Sequence, residues 1–254
     1  MMAIANTSDR RSARLPGAVI FDLDDTLYPS SDYSLSALRA VADYLRLAYG
    51  WRLQDELLAA RPGRDVLRSV TDVLAHRVGE VDAGLLCRLE AVIATHRPAI
   101  ALFNDARVCL ATLSRMGIRT GLVASGDAAV QRMKVRALDV SWLISTTLFT
   151  ADLAGPDQAA DALGLMAMDL DLPIESMVFA GGVGTDEFVA ARQLGMPVIR
   201  VERRKESGAG DLVAKNTWVS ARDRLASSLD EVPDLLMQEA TGPAAHAPAG
   251  LGLA

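Results

Sequence analysis

The fold is decided by residues 18–28, which read AVIFDLDDTLY. The first four residues form a continuous apolar run, as expected of a strand buried on both faces of a parallel sheet. Asp22 and Asp24 follow this strand directly, and side chains two residues apart at a strand end point to the same side. One carboxylate can then attack phosphorus while the other handles protons, or both can help to hold a hard cation such as Mg²⁺. A solvated acidic turn is the alternative interpretation.

Beyond this stretch, the spacing of apolar residues over residues 34–100 is that of helices. Apolar residues such as Leu35, Leu38 and Val41 recur at three- and four-residue spacing, which is typical of amphipathic helices. Two further segments repeat this spacing, the last of them over residues 82–96, and no strand-like alternation interrupts them. We therefore predict an all-helical insert over residues 34–100.

After Asn104 the pattern changes to an alternation of helices and strands, which indicates a doubly wound parallel sheet. The expected α/β core consists of residues 1–33 and 101–237, with a polar leader up to about residue 15, and residues 238–254 form a flexible tail. The strands predicted after the insert are 119–124, 142–145, 177–180 and 198–201.

Composition limits the class of partner. The chain has 254 residues, with 26 Lys and Arg against 32 Asp and Glu, and this acidic balance lacks the cationic field that attracts nucleic acid or anionic membranes. We expect no nucleic acid and no membrane partner, and a small substrate held by a local site.

Arg10 and Arg11 superficially suggest an export signal, but Pro16 and a core strand follow, so we predict a cytoplasmic protein. Cys87 and Cys109 are expected to be reduced and buried.

The residues at the strand ends resemble those of the haloacid dehalogenase (HAD) superfamily. Residues 21–28, FDLDDTLY, resemble the first motif of that family, including the aromatic residue before its nucleophile. Residues 123–126, VASG, resemble the second motif, and residues 131–134 and 228–236 resemble further family segments. The likeness runs over roughly residues 18–237. It implies a HAD-like core, with the helical insert in the place of the cap domain.

The resemblance also implies roles for individual residues. Asp22 would be the nucleophile that forms an aspartyl-phosphate, and Asp24 the general acid and base. Thr26 matches the hydroxyl residue that steadies the first loop, and Thr26, Ser125 and Gly126 are the expected contacts of the substrate phosphate. The implied cofactor is Mg²⁺, and its expected ligands are Asp22, Asp24, Asp186 and Glu187.

The third and fourth motifs depart from the family pattern. The third normally presents a Lys just before a Pro, and Gly155 stands in its place. The fourth normally presents a metal-binding Asp, and Gly182 replaces it, while Asp186 and Glu187 fall at the later acid. One preorganised electrostatic contact is worth about 3–4 kcal/mol of transition-state stabilisation. We therefore expect weakened catalysis and weak Mg²⁺ binding.

Two residues offer compensation for these losses. Asp186 could reach back to the metal, and Lys134 could supply a positive charge from another helix. The favoured prediction is that Asp186 supports the N-terminus of its own helix and that Lys134 is solvated.

Together these patterns favour a HAD-like hydrolase, a Mg²⁺-dependent phosphomonoesterase that acts on a small phosphorylated metabolite with reduced activity. The alternative is a catalytically inactive protein that binds a ligand or partner through the same fold. A haloacid dehalogenase is a third hypothesis, because that chemistry needs no metal. The dehalogenase pattern lacks the second Asp and depends on the third-motif Lys, so Asp24 and Gly155 argue against it.

Overall fold

The computed structural model describes residues 15–60, 65–79, 81–203 and 223–241. The predicted polar leader, up to residue 14, and the predicted tail from residue 242 onward lie outside the described residues.

The core is a six-stranded parallel sheet with the strand order β3-β2-β1-β4-β5-β6. The central strand β1 pairs with β2 and β4, and Phe21 at its end is level with Leu122 and Ala180. Because all strands run the same way, their carboxyl ends meet at one edge, where ligands bind in open α/β sheets. The strands are β1 Ala18–Phe21, β2 Arg119–Ala124, β3 Thr146–Phe149, β4 Met177–Gly181, β5 Val198–Val201 and β6 Arg224–Ala226.

Helices cover both faces of the sheet, so the predicted doubly wound α/β fold is confirmed. The side chains of β1 alternate: Val19 and Phe21 enter one buried cluster with α5 and α9, whereas Ala18 and Ile20 enter another with α7 and α8. This alternation explains the continuous apolar run of the strand. The helices of the core are α5 Asn104–Arg115, α6 Ala128–Leu138, α7 Gln158–Asp169, α8 Asp186–Gln193 and α9 Val232–Thr241.

The insert between β1 and α5 is helical, as predicted, and its buried side chains form a hydrophobic cluster of their own. It begins earlier than expected, because α1 starts at Ser30 and not at Ser34. It also contains a short helix, α2, that the periodicity did not indicate. Six residues are too few to display an amphipathic repeat. The helices of the insert are α1 Ser30–Tyr49, α2 Gln54–Ala59, α3 Val66–Val78 and α4 Ala83–Thr95.

Some predictions at the sheet edges and the chain end were wrong. Residues 142–145 form no strand, and β3 lies directly after them, with half-buried residues that include two threonines. The apolar Leu143 and Ile144 are buried in the preceding turn, so apolarity alone misplaced this edge strand. The short strand β6 was missed, and α9 continues to Thr241, four residues into the predicted tail.

Two further observations concern the cysteines and the length and apolarity of the helices. Cys109 is buried and Cys87 is exposed, both as free thiols, so the prediction that both are buried was wrong for Cys87. Within the described ranges, no helix is long and apolar enough to cross a membrane.

The end of β4 sets how closely the sheet approaches Asp22. A Cβ atom built on Gly181 would lie 2.8 Å from Cε1 of Phe179 and 3.0 Å from Cβ of Asp22, whereas one built on Gly182 has no atom within 4 Å. We expect Gly181→Ala to lower the free energy of unfolding by about 1–3 kcal/mol, because overpacked sites must shift backbone or side chains. Gly182→Ala is the matched control and should change it by less than about 0.5 kcal/mol. Denaturant unfolding of both variants tests this, and equal losses would contradict the close approach at Gly181.

Candidate active site

Asp22 is the first residue after β1, and its carboxylate is buried and fixed. The side chain and backbone together are 6% exposed. The Leu23 N–H donates to Oδ1 at 2.7 Å and the Thr26 hydroxyl donates to Oδ2 at 3.2 Å. The backbone N–H of Asp22 donates to the Ala180 carbonyl at 3.2 Å, which ties the residue to β4. The first loop therefore presents one carboxylate in a single orientation at the strand end.

Burial and neighbouring charge make ionisation of Asp22 unfavourable. Desolvation, with the charges of Glu187 and Asp24, raises the pKa of Asp22 from 3.8 to about 8, although the hydrogen bonds from Leu23 and Thr26 lower it. Carboxylates that share a site repel one another in this way. A positive charge beside Asp22 would restore the ionised form.

Asp24 has a different environment, because a buried lysine holds it. Lys134 of α6 donates to both oxygens of Asp24 at 2.9 Å and is 7% exposed. Its ammonium group also lies 4.7 Å from the ring centroid of Tyr33, on α1 of the insert. The prediction that Lys134 is solvated was wrong. Lys134 lies on the buried side of α6, and the Asp24 charge offsets the cost of burying the ammonium.

Further donors complete the environment of the Asp24 carboxylate. The hydroxyl of Tyr28 and the amide of Gln131 also donate to it, the latter at 3.1 Å. Burial alone would raise the pKa of Asp24, but the Lys134 charge and these hydrogen bonds outweigh it and hold the pKa below its usual value of 3.8. Asp24 is therefore ionised at neutral pH, so it can accept a proton but has none to donate.

The second loop lies beside the first. Gln131 donates both to Asp24 and to the Ser125 carbonyl, and the Thr150 hydroxyl donates to Oγ of Ser125 at 3.1 Å. Gly126 has a φ of +107°, and a Cβ there would lie 3.3 Å from Nε2 of Gln131. The turn thus needs a glycine. The structure brings Ser125 and Gly126 to the same edge of the sheet as Asp22 and Asp24.

The two acids at the start of α8 point to different places. Glu187 is 1% exposed, its Oε1 has no hydrogen-bond partner, and its charge acts on Asp22. Asp186 is exposed, in the first turn of the helix, where the Thr185 side chain provides the cap. Within the described ranges, no group of three or more His, Cys, Asp or Glu is arranged to hold a metal ion. The four predicted metal ligands are therefore not gathered into one cluster.

Gly155 and Gly182 differ in what a side chain would meet. Gly155 has a φ of +135°, which L-amino acids rarely adopt, and a Cβ there would lie 3.1 Å from Oδ2 of Asp161. Gly182 faces open space. A lysine at position 155 would thus strain the backbone, whereas position 182 has room for a side chain.

Arg203, two residues after β5, supports the first loop, and sequence reasoning missed it. Its guanidinium donates to the Thr26 carbonyl at 2.7 Å and to Asp105 at 2.8 Å, and stacks 3.7 Å from the Phe103 ring centroid. Asp105 also accepts from the Ser228 hydroxyl and the Leu229 N–H, each at 2.8 Å. No local motif marks Arg203, because its partners are distant in sequence. Gln131 lies in the segment 131–134 that resembles the family, but the sequence assigned no contact to it or to Thr150.

Comparison with known proteins agrees with this geometry. The sequence profile of the haloacid dehalogenase-like hydrolase family matches residues 19–201. The match covers more than half of the chain, and the chain belongs to this family.

Three individual proteins similar to this chain share 15–27% sequence identity with it. The glyceraldehyde 3-phosphate phosphatase of Methanopyrus kandleri is 27% identical over 199 residues, which span 74% of this chain and 84% of that protein. A HAD-superfamily hydrolase of subfamily IA from Geobacter sulfurreducens has a TM-score of 0.62 at 15% identity, over 90% of this chain and 99% of that one. The L-2-haloacid dehalogenase of Xanthobacter autotrophicus has a TM-score of 0.55 at 19% identity, over 88% and 99% of the two chains. These structural likenesses show the fold.

The raised pKa of Asp22 predicts a pH-dependent stability change on substitution. Below about pH 4 the carboxyl is neutral in both the folded and the unfolded chain. Between about pH 4 and 8 the unfolded chain releases this proton and the folded chain keeps it, so the free energy of unfolding falls as pH rises. We expect metal-free Asp22→Asn to have a higher thermal midpoint than the wild type at pH 8, with a difference that vanishes towards pH 4. Thermal unfolding across this range measures it.

Glu90→Gln removes an exposed acid from α4 and serves as the control, for which no such trend is expected. A wild type more stable than Asp22→Asn at pH 8 would contradict the unfavourable burial of the Asp22 charge.

Proposed function

We propose that the chain is a Mg²⁺-dependent phosphomonoesterase that acts on a small phosphorylated metabolite of the cytoplasm through an aspartyl-phosphate on Asp22. The observation that carries the proposal is the buried Asp22 carboxylate, held by the Leu23 N–H and the Thr26 hydroxyl at the end of β1. A fixed, desolvated carboxylate beside a loop that offers the Ser125 hydroxyl and the Gly126 backbone N–H suits nucleophilic attack on phosphorus. The phosphatase from Methanopyrus kandleri supports this class of reaction.

The charges of the site support a need for a divalent cation. When ionised, Asp22, Asp24 and Glu187 carry three negative charges, and the Lys134 ammonium offsets that of Asp24. A phosphate ester would bring further negative charge to Asp22 and Glu187. Bound Mg²⁺ would neutralise these charges and polarise the phosphoryl oxygens.

The residues present fit Mg²⁺, although with fewer ligands than expected. Oε1 of Glu187 is buried without a partner and its charge acts on Asp22, so the two carboxylates suit one hard cation. Mg²⁺ commonly uses one or two carboxylates together with substrate phosphates and water. The Asp24 side chain does not fit this role, because Lys134 occupies both of its oxygens. Asp186 does not fit either, because it is exposed.

The chain's own residues would then divide the reaction between them. The Asp22 carboxylate attacks phosphorus and the ester oxygen leaves. Ser125 and the Gly126 N–H bind the phosphoryl oxygens. The ionised Asp24 accepts a proton from the water that hydrolyses the aspartyl-phosphate, but has no proton to give to the leaving oxygen. This asymmetry favours esters whose leaving group needs no protonation.

A non-catalytic binding protein is the second candidate. The observation that favours it is the saturation of Asp24 by Lys134, Gln131 and Tyr28, because a proton shuttle needs a carboxylate that is free to exchange partners. The haloacid dehalogenase hypothesis is weaker, since Asp24 is present and Gly155 leaves no lysine.

Hydrolysis of p-nitrophenyl phosphate across a Mg²⁺ titration tests the proposal. We expect Mg²⁺-dependent turnover that Asp22→Asn abolishes. Glu187→Gln should raise the Mg²⁺ concentration at half-maximal rate by about tenfold or more, since a tenfold change in affinity corresponds to about 1.4 kcal/mol. The neighbouring Asp186→Asn should keep the wild-type Mg²⁺ requirement.

Two outcomes would contradict this account. Mg²⁺-independent turnover, or equal Mg²⁺ requirements in Glu187→Gln and the wild type, would remove Glu187 from the metal site. A folded wild type without any turnover would favour the binding protein.

A further inference from the structure

Gln131 of α6 is buried and contacts both loops of the site. It is 4% exposed. Its amide Nε2 donates to Oδ2 of Asp24 at 3.1 Å and also to the backbone carbonyl of Ser125. Asp24 belongs to the first loop and Ser125 to the second. One amide group therefore joins the loop of the proposed base to the loop that would hold the phosphoryl group.

The two acceptors fix the orientation of this amide. An ionised carboxylate and a carbonyl can only accept hydrogen bonds, so Oε1 of Gln131 could not take the place of Nε2. Oε1 itself is buried and, within the described part of the chain, has no hydrogen-bond partner. A buried oxygen without a partner destabilises the folded state, and such groups are uncommon in native proteins. The contacts that the amide makes with the two loops therefore explain its presence better than a gain in stability does.

Two other side chains each hold one of the loops. Lys134 donates to Asp24, and the Thr150 hydroxyl donates to Oγ of Ser125. Neither of these hydrogen bonds crosses from one loop to the other. The Gln131 amide thus sets the distance between the Asp24 carboxylate and the second loop.

This distance matters in the second step of the proposed reaction. The oxygen of a water molecule attacks phosphorus on the side opposite Asp22, the P–O bond to Asp22 breaks, and Asp24 takes the proton of the water. Ser125 and the Gly126 N–H hold the phosphoryl oxygens during this step. A general base must lie within hydrogen-bond reach of the proton that it removes. A displacement of about 1 Å can lower a rate by about 10²-fold.

We propose that Gln131 is a positioning residue for hydrolysis of the aspartyl-phosphate, and that its amide holds Asp24 at the distance from the second loop at which Asp24 reaches the attacking water. The inference rests on the proposed function, because it requires an aspartyl-phosphate on Asp22. Formation of that intermediate from p-nitrophenyl phosphate does not require this distance, since the p-nitrophenolate leaving group needs no proton. Loss of the amide should therefore slow the second step and not the first.

Gln131→Met tests this inference, because methionine is of similar length and lacks the donor group. Rapid mixing with p-nitrophenyl phosphate and Mg²⁺ measures phosphorylation by the release of p-nitrophenolate, and acid quenching measures the decay of the phosphorylated protein. We expect the rate constant of hydrolysis to fall about tenfold or more and that of phosphorylation to change less than about threefold. The phosphorylated fraction at steady state should rise. The affinity for inorganic phosphate should stay that of the wild type, because Ser125 and the Gly126 N–H remain.

Gln158→Met is the matched control. Gln158 is the first residue of α7, is half-buried, and donates from its amide to the Leu153 carbonyl at 2.7 Å. The same substitution there removes a hydrogen bond of the same kind in which neither loop takes part, so both rate constants should match the wild type. Gln131→Asn keeps the amide on a side chain that is one methylene shorter and cannot reach both acceptors. It should slow hydrolysis in the same selective way, including where Gln131→Met is too unstable to measure.

The outcomes separate this inference from the proposed function. Equal slowing of both steps in the Gln131 variants, or the same selective loss in Gln158→Met, would overturn the inference and leave the phosphatase intact. Wild-type rate constants in the Gln131 variants would overturn it as well. A folded wild type that forms no aspartyl-phosphate would contradict the proposed function, and the role of Gln131 with it.

Discussion

The buried carboxylate of Asp22 is the constraint on which the site depends. The end of the central strand β1 lies between two neighbouring strands, and the residue that follows is desolvated by the sheet itself. Desolvation together with the Glu187 charge raises the pKa of Asp22 to about 8, so the negative charge that its proposed role as nucleophile requires is unfavourable in the protein alone. An ionised Asp22 therefore needs a positive charge beside it, which a divalent cation can supply.

The loops around Asp22 are held by hydrogen bonds, although Gly155 and Gly182 stand where the family pattern has a Lys and an Asp. Lys134 holds Asp24 from α6, and Gln131, one turn earlier on the same helix, connects Asp24 to the second loop. Arg203 supports the first loop through the Thr26 carbonyl. These contacts reach the loops from outside the motifs, so the loops remain in place although Gly155 and Gly182 contribute no side chain.

The sequence predicted the fold and the strand ends at which the candidate residues lie, because both follow from short-range patterns. A continuous apolar run followed by Asp22 and Asp24 indicates a buried parallel strand with acids at its end, and Ser125 and Gly126 follow β2 in the same way. Residues whose role depends on packing could not be predicted. Lys134 looks like any solvated lysine in sequence.

The acids of α8 illustrate the same limit. Asp186 and Glu187 are adjacent, and neighbours on a helix differ in direction by about 100°, so one faces solvent and the other the core. Only the packing of α8 on the sheet decides which of the two side chains faces the core. The edge strand β3 was misplaced because apolar residues also fill a buried turn, and the positive φ of Gly155 leaves no mark in a single sequence beyond the glycine itself.

The central claim is that Asp22 accepts the phosphoryl group, and trapping that intermediate tests it most directly. The protein is mixed with Mg²⁺ and p-nitrophenyl phosphate, quenched in acid within the first turnover, and its peptides are mapped by mass spectrometry. The account predicts one added phosphoryl group on the peptide that contains Asp22, labile to hydroxylamine and absent from Asp22→Asn. Phosphate release without a covalent intermediate, or a phosphoryl group on Asp24, would contradict it.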